Sequence, residues 1–405
     1  MNPDSLRIGI VGPGLMGLGL CHSAAAAGLE VLLLGRDEEA ARRGVERLGA
    51  DLDKRVARGR MTSQARAALV EAISPAAGPA DLAGCALVVE TVAEERETKL
   101  EVLRRIEAVV ADDALIATNT SGLPVSGLAA ALSRPQRFIG LHFFSPVARM
   151  ALVEVVVGQA TSNATVETAL DWVRRLGKQP IVVRDGPGFF TSRVFAAYLD
   201  EAAAMLAEGV RGEAIEAGAA AAGLPIGPLA MLDETGLALN LQQARQARAD
   251  GLAESFCRPL AWPVLDCMVT ALGRRGRREG GGFYDYPAEG PKRLWPGLAQ
   301  LYPALDVQPD TAGVTRRLMH AQAMEAARCL EQGTVRSAED ADRGSVLGLG
   351  FPAAEGGVLA QVARRGIAAF VAECDALADR HGERFRPSPW LRERAQDPRG
   401  FSHAA

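Results

Sequence analysis

The fold of this chain is decided near its beginning by Ile8-Gly-Ile-Val-Gly12-Pro-Gly14-Leu-Met-Gly17, where a β-branched run leads into glycines spaced Gly-x-Gly-x-x-Gly. In a strand–turn–helix unit, the first glycine permits a tight turn, the second lets a pyrophosphate approach the backbone, and the third packs helix against strand. Unpaired N–H groups at the start of the helix favour that anion. We therefore predict a dinucleotide site formed by Gly12, Gly14, Leu15, Met16 and Gly17.

From this loop onward, the first half of the chain alternates β-branched runs with helical stretches. The predicted strands are Arg7–Val11, Val31–Leu34, Ala86–Val89, Leu115–Thr118, Arg137–His142, Leu152–Val157 and Pro180–Val183. The predicted helices are Met16–Ala27, Ala40–Arg47 continuing into Asp51–Ala57, Thr98–Val109 and Val166–Leu176. This alternation is typical of a parallel sheet covered on both faces, so we predict an α/β Rossmann-type doubly wound sheet.

After Asp185-Gly-Pro-Gly188 the strand-like runs end and alanine-rich helices follow. A second break is expected at 276–291, where glycines, prolines and a short aromatic run crowd together. We predict three domains: a dinucleotide-binding Rossmann domain at 1–185, a helical substrate or dimerisation-type domain at 186–290, and a second helical domain at 291–405.

The second helical domain is expected to repeat the first. Five residues recur 124 positions later in the chain: Arg193, Glu201, Ala202, Leu206 and Gly209 return as Arg317, Glu325, Ala326, Leu330 and Gly333. Gly223-Leu-Pro finds an echo in Gly350-Phe-Pro. This pattern predicts all-α C-terminal domains built as a tandem duplicate of a 6-phosphogluconate-dehydrogenase-like helical domain. Such a duplicate can pack on itself as two subunits would, so both a homodimer and a pseudo-dimeric monomer are open.

Composition excludes several classes of protein. The net charge is −4 and no long basic tract occurs, which argues against a nucleic-acid partner. The six cysteines are scattered without metal-ligand spacing, so we expect reduced thiols and no metal. We find neither a secretory leader at the N-terminus nor an apolar run of membrane-spanning length, and expect a cytoplasmic protein without membrane insertion.

The second predicted strand ends in Leu34-Gly35-Arg36-Asp37, which leaves the choice of nicotinamide cofactor open. An acid normally ends this strand and binds the adenosine ribose hydroxyls of NAD. With Gly35 in its place, a 2′-phosphate is not repelled and Arg36 could bind it, although Asp37 could still reach the ribose. NAD and NADP are both candidates.

The candidate catalytic base is His142, the one histidine among five that stands at a predicted strand end. Glu154 interrupts the otherwise apolar strand that follows, and a carboxylate buried in a strand is costly unless it is paired. Paired with His142, it would keep one ring nitrogen protonated while the other accepts a hydroxyl proton. The alternative is a core histidine beside an unrelated glutamate.

A polar turn, Asn119-Thr-Ser121, follows the strand Leu115–Thr118 and also faces the ligand-binding edge of such sheets. The Ser121 hydroxyl could bind the substrate oxygen that changes between alcohol and ketone, or it could cap a helix.

Six motifs follow one another along the chain: Gly12-Pro-Gly-Leu-Met-Gly17, Asn119-Thr-Ser121, His142-Phe-Phe-Ser-Pro146, Leu152-Val-Glu154, Gly186-Pro-Gly-Phe-Phe-Thr-Ser-Arg193 and Gly282-Phe-Tyr-Asp-Tyr286. Together they resemble L-3-hydroxyacyl-CoA dehydrogenases over nearly the whole chain. The resemblance is especially to the dehydrogenase portion of bifunctional fatty-acid oxidation enzymes, detached from their hydratase domain. It implies oxidation of (3S)-hydroxyacyl-CoA to 3-oxoacyl-CoA as in β-oxidation, with NAD as oxidant and acyl-CoA as substrate.

Carried over from that family, His142 looks like the base, Glu154 its orienting partner and Ser121 a ligand of the substrate hydroxyl. Glu94 and Lys99 match positions near the nicotinamide half of the cofactor, where an exposed helix start is the alternative. The resemblance also places Asn119 at the cofactor.

The sequence departs from the family at Gly35, where an acid is usual, and at Ser192, where Asn is frequent. Ser192 remains a candidate substrate ligand because related bifunctional enzymes resemble this Thr-Ser-Arg version. The tail segment 351–357 lacks an aromatic residue found in many relatives. An arginine cluster at 274–278 could attract CoA phosphates or form a solvated linker.

Two other functions stay open. One is an NADPH-dependent 3-oxoacyl thioester reductase of a biosynthetic pathway, which the Gly35-Arg36 pair favours. The other is a non-catalytic dinucleotide-binding subunit, against which a buried carboxylate beside His142 argues.

Overall fold

The computed structural model describes residues 7–403, and the predicted absence of a secretory leader lies outside the described residues. The chain divides into two compact units. The first comprises Met1–Phe189 with Gly333–Arg336, and the second comprises Phe190–Gln332 with Ser337–Ala405. The domain boundaries expected at 185 and 290 stay a prediction.

The first unit is built on an eight-stranded sheet. Its strands are β1 (Arg7–Val11), β2 (Glu30–Leu34), β3 (Ile73–Pro75), β4 (Leu87–Glu90), β5 (Leu115–Thr118), β6 (Phe138–Phe143), β7 (Leu152–Val157) and β8 (Gln179–Arg184). They lie in the order β3-β2-β1-β4-β5-β6-β7-β8, so the chain turns from one half of the sheet to the other after β3. The predicted Rossmann-type sheet and its seven strands are confirmed. The three-residue β3 was missed because it is too short to show a period.

One pair of strands departs from the predicted parallel arrangement. β6 and β7 run antiparallel, whereas the other neighbours in this sheet are parallel. The connection between them is residues 144–151, which is too short for the helical crossover that a parallel pair requires. The antiparallel register places His142 directly opposite Glu154.

Helices cover both faces of this sheet: α1 (Leu15–Ala26), α2 (Glu38–Ala57), α3 (Ser63–Glu71), α4 (Arg96–Glu107), α5 (Val125–Ala129) and α6 (Asn163–Arg175). Three begin at side-chain caps, where Asp37, Thr62 and Ser162 accept hydrogen bonds from backbone N–H groups of the first turn. The two stretches expected around Gly49 form the single helix α2, and α3 and α5 were not predicted. Every residue of β4, β5 and β6 is buried, as expected for central strands covered on both faces.

The second unit is helical apart from a short hairpin among its described residues. Its helices are α7 (Thr191–Ala207), α8 (Gly212–Ala221), α9 (Pro228–Thr235), α10 (Leu237–Ala249), α11 (Trp262–Asp266), α12 (Leu298–Leu301), α13 (Thr311–Glu331), α14 (Ala338–Leu349), α15 (Ala360–Arg365), α16 (Ile367–His381) and α17 (Pro389–Arg394). The hairpin pairs β9 (Tyr284–Asp285) with β10 (Arg293–Leu294).

The two predicted repeats exchange equivalent ion pairs within this unit. Arg193 Nε donates to Glu325 Oε1 at 2.7 Å, and Arg317 Nε donates to Glu201 Oε1 at 2.7 Å. Each arginine of one repeat therefore pairs with the glutamate of the other. This reciprocity is the property of an isologous interface between two copies, and here it occurs inside one chain.

Backbone features repeat in the same way. Glu216 accepts hydrogen bonds from the first N–H groups of α9, and Asp342 does so at the start of α15. Gly236 separates α9 from α10 with φ 90°, and Gly366 separates α15 from α16 with φ 95°. These correspondences support duplication of α7–α10 as α13–α16. No helix of residues 7–403 combines the length and apolar character needed to cross a membrane.

Candidate active site

The loop between β1 and α1 has the shape of a phosphate cradle. A β-carbon at Gly17 would lie 1.9 Å from Gly12 O, and one at Gly12, where φ is 112°, would lie 2.9 Å from Thr91 O. A β-carbon at Gly14 would meet nothing within 4 Å, so the N-terminus of α1 faces open space. The turn therefore has no room for a side chain at Gly12 or Gly17. The N–H groups at the start of α1 remain accessible to an anion. The loop therefore fits the pyrophosphate of a dinucleotide.

Residues beside the glycines have distinct positions. Leu15 is exposed at the start of α1, whereas Met16 packs partly against the core of the sheet. Thr91, which sequence reasoning missed, follows β4 and has its Oγ1 3.0 Å from both Val11 O and Gly12 O. A lone threonine after a strand carries no sequence signal for this contact. The Thr91 hydroxyl stabilises the turn at Gly12 by donating to these backbone carbonyls.

At the end of β2, Arg36 is exposed and its Nε lies 3.3 Å from Asp37 Oδ2. Asp37 Oδ1 accepts a hydrogen bond from Ala40 N at 2.6 Å and so caps α2. The predicted ribose contact of Asp37 competes with this cap.

The predicted pair of His142 and Glu154 forms across the antiparallel strands. Nδ1 of His142 lies 2.7 Å from Glu154 Oε2. Glu154 is fully buried and His142 is 8% exposed, while the imidazole packs against Phe144 and Phe189 with ring centroids 4.5 and 5.9 Å away. An ionised carboxylate only accepts hydrogen bonds, so it selects the tautomer with a proton on Nδ1 and a lone pair on Nε2.

Asn119 joins neighbouring strand ends beside this pair. Its N–H donates to Glu90 O at 2.8 Å, and its Oδ1 accepts a hydrogen bond from Phe143 N at 2.9 Å. The side chain thereby ties β5 to the residue that follows His142. Its contact with a cofactor stays a prediction.

Glu94 holds the Ser121 turn. Its Oε1 accepts hydrogen bonds from Ser121 N at 3.0 Å and Gly122 N at 3.2 Å, and from the Thr120 hydroxyl. Burial alone would raise the pKa of Glu94, but the Lys99 ammonium and these hydrogen bonds outweigh it and lower that pKa. Glu94 is therefore an anion that fixes the backbone of the turn, while the Ser121 residue is exposed.

Lys99 is the buried cation beneath this turn. Its side chain is 1% exposed, and Nζ lies 2.9 Å from Glu90 Oε1 and 3.3 Å from Glu94 Oε2. Glu90, also buried, accepts a hydrogen bond from Thr118 Oγ1 at 2.7 Å. The alternative of an exposed helix start is wrong for Lys99. Sequence reasoning missed Glu90, although a carboxylate ending an apolar strand is the same signal that identified Glu154.

The other predicted site residues lie in the second unit. Ser192 is half-buried in the first turn of α7, and its substrate contact stays a prediction. In the arginine cluster, Arg274 donates to Gly282 O at 2.6 Å and to Asp285 Oδ1 at 2.7 Å. Arg275 pairs with Glu279 and Arg277 with Glu234. These carboxylate partners favour a structural segment over a CoA-phosphate site. Residues 7–403 contain no group of three or more His, Cys, Asp or Glu side chains able to hold a metal.

Comparisons with known proteins agree with this arrangement. The family described as "3-hydroxyacyl-CoA dehydrogenase, NAD binding domain" matches residues 7–186, and "3-hydroxyacyl-CoA dehydrogenase, C-terminal domain" matches residues 188–286. The fatty acid oxidation complex subunit alpha of Pseudomonas putida KT2440 is 35% identical over 405 residues, which cover 98% of this chain and 56% of that protein. The subunit of Shewanella frigidimarina is 34% identical over 402 residues, with the same two shares. The chain thus spans about half the length of these curated relatives.

Solved structures show the same fold. The 3-hydroxybutyryl-CoA dehydrogenase of Escherichia coli K12 superposes with a TM-score of 0.84 at 28% identity, covering 97% of this chain and 98% of that one. The (S)-3-hydroxybutyryl-CoA dehydrogenase PaaH1 of Ralstonia eutropha superposes with a TM-score of 0.66 at 34% identity, covering 70% of this chain and 100% of that one.

Proposed function

This chain belongs to the 3-hydroxyacyl-CoA dehydrogenase family, and we propose that it oxidises a (3S)-hydroxyacyl-CoA reversibly to the 3-oxoacyl-CoA. The observation that carries the proposal is the buried pair of His142 and Glu154, joined at 2.7 Å at the end of β6. Ligands of such sheets bind outside the carboxyl ends of the parallel strands, the edge that also carries the glycine loop. A base and a dinucleotide cradle therefore belong to the same edge.

Glu154 orients the base and supports its charge. By accepting the Nδ1 proton, it keeps the lone pair on Nε2, which takes the proton of the substrate hydroxyl. The imidazolium that forms then faces a buried carboxylate, which stabilises it while the reaction proceeds. A nicotinamide dinucleotide bound at the glycine loop would supply the acceptor for the hydride that leaves the same carbon.

The remaining residues position the two reactants. The glycine loop with Leu15 and Met16 holds the pyrophosphate, and the Ser121 hydroxyl donates to the substrate oxygen. Glu94 keeps the backbone of Ser121 in place through the hydrogen bonds described above. The Lys99 ammonium forms ion pairs with Glu90 and Glu94, so it acts on the cofactor site through those carboxylates.

The relatives' names support the substrate class and the pathway. They describe fatty acid oxidation and 3-hydroxybutyryl-CoA dehydrogenases, which share a 3-hydroxyacyl-CoA as reactant. The six cysteine thiols fit the reducing cytoplasm. The reciprocal ion pairs between the repeats support a pseudo-dimeric monomer, since the second repeat offers the contacts that another subunit would.

The experiment is a spectrophotometric assay of the purified chain with acetoacetyl-CoA and longer 3-oxoacyl-CoAs, each with NADH and NADPH. Consumption of reduced cofactor that depends on the acyl-CoA supports the proposal. Cofactor binding without turnover of any chain length would support the non-catalytic alternative instead.

A further inference from the structure

The end of β2 has no room for the acid that normally selects NAD. That acid binds the ribose hydroxyls and repels a 2′-phosphate. A β-carbon at Gly35 would lie 2.9 Å from both Ala41 N and Asp37 O, and 3.0 Å from Ala40 Cβ. The backbone at the start of α2 thus excludes a side chain here. The acid is therefore absent at Gly35 both because the residue is glycine and because the local backbone leaves no space for a side chain.

The nearest carboxylates already have partners. Asp37 uses Oδ1 to cap α2 and Oδ2 to pair with Arg36. Glu38 lies 2.6 Å from Arg42, and the next glutamate of α2 pairs with Arg43 in the same way. Each acid of this segment is therefore balanced by a cation of its own, which weakens repulsion of a phosphate.

Two arginines lie beside the end of β2 and the glycine loop. Arg36 follows Gly35 directly, its side chain is 81% exposed, and its contact with Asp37 is made through Nε, so its Nη groups can turn to a ligand. From α2, Arg47 Nη2 donates to Pro13 O of the glycine loop at 2.6 Å. Helix and loop are packed closely here, since a β-carbon at Gly44 would lie 2.8 Å from Pro13 Cβ.

We propose that the dinucleotide site accepts a 2′-phosphorylated nucleotide, NADP(H), in preference to NAD(H), with Arg36 as the principal ligand of the 2′-phosphate. A phosphate monoester carries close to two negative charges at neutral pH, and the planar guanidinium can donate two parallel hydrogen bonds to it. Arg47 adds positive charge on the loop side. The inference rests on the proposed function, which requires a nicotinamide dinucleotide, and it adds which one.

The test measures binding without turnover. Quenching of tryptophan fluorescence gives the Kd for NADPH and NADH, and competition is measured with 2′-phospho-ADP-ribose and ADP-ribose. We expect NADPH to bind at least about tenfold more tightly, with a steeper loss of affinity as salt is raised. Arg36→Gln should weaken binding of NADPH about ten- to a hundredfold and change the Kd for NADH by less than about twofold, because only NADPH carries the 2′-phosphate.

Arg42→Gln is the matched control, since this exposed arginine lies on the same helix and pairs with Glu38. It should leave the ratio of the two Kd values unchanged. Tighter binding of NADH by the wild-type chain, or an equal loss for both cofactors in Arg36→Gln, overturns the inference and leaves the proposed function intact. Binding of neither cofactor would instead count against the proposed function.

Discussion

The two units each contain a buried histidine paired with a glutamate, and the pairs differ in what surrounds them. His142 Nδ1 lies 2.7 Å from Glu154, and His320 Nε2 lies 2.8 Å from Glu373. The first pair lies across two antiparallel strands, and its carboxylate is fully buried. In the second, α13 and α16 contribute the partners, and Glu373 is shared with Arg365 at 2.9 Å.

The comparison shows that distance alone does not identify a base. Burial lowers the pKa of His320, and although Glu373 opposes that shift, Arg365 adds to it. Its ring also stacks on Phe370, with centroids 4.8 Å apart. Burial thus disfavours the charged form of His320, whose ring packs between α13 and α16. His142 stands at the sheet edge where ligands of such folds bind, which is why we propose His142 and not His320 as the base.

The largest expected effect separates the two histidines directly. His142→Gln should lower kcat about 10³- to 10⁴-fold because the proton acceptor is lost, with Kd for the cofactor within about twofold of wild type. His320→Gln, the matched control, should keep kcat within about threefold. Steady-state rates and fluorescence titrations measure both. Comparable losses in the two variants would remove the distinction between the pairs.

The two carboxylate partners, Glu154 and Glu373, should likewise differ in their effect on kcat. Glu154→Gln should lower kcat about 10²- to 10³-fold, since an amide neither selects the tautomer as firmly nor stabilises the imidazolium. Glu373→Gln should change kcat by less than about threefold. Normal turnover in a folded Glu154→Gln variant, checked by circular dichroism, would leave Glu154 without a role in the reaction.

The buried ion pair of Lys99 and Glu90 in the first unit extends the comparison, because we assign it a structural role and no role as a base. Lys99→Met leaves Glu90 buried without its cation and should cost about 3 kcal/mol in the free energy of unfolding. The double variant Glu90→Gln/Lys99→Met should recover part of that loss, since no charge is then stranded. Urea denaturation measures both, and equal stability of the single variant and wild type would contradict the buried ion pair.

The smallest expected effect is a pH dependence of stability from His320. Its pKa is lowered in the folded state, so the unfolded chain binds the proton more readily, and stability falls as pH drops through about 6.5. The slope from one proton cannot exceed about 1.4 kcal/mol per pH unit. Denaturation midpoints of wild type and His320→Gln are compared between pH 5 and 8. The difference between the two profiles reports on His320, because all other titratable groups are the same in both proteins. Identical profiles would contradict it.

Local patterns were enough for much of the first unit. The glycine spacing predicted the β1–α1 loop, and β-branched runs predicted seven strands. The carboxylate in an apolar strand predicted the partner of His142. The first two signals depend on residues near one another in sequence. The third depends on the cost of burying a charge, which a single carboxylate in an apolar strand makes visible.

Other features needed the folded chain. The antiparallel direction of β7 follows from a short connection, and Lys99 is buried where α4 packs against β4 and the ammonium pairs with Glu90. Thr91, Glu90 and Thr118 act through contacts between separate strands. No local periodicity encodes such contacts.

By itself the sequence determined the Rossmann-type sheet, the dinucleotide loop, the duplicated helical region and the identity of the His142–Glu154 pair, because glycine geometry, hydrophobic period and the cost of a buried charge act locally. Only the tertiary structure decided that Glu94 holds the Ser121 turn, that Lys99 is a buried support, and that the backbone at Gly35 excludes an acid. Those outcomes depend on the distances between elements far apart in the chain, which packing sets.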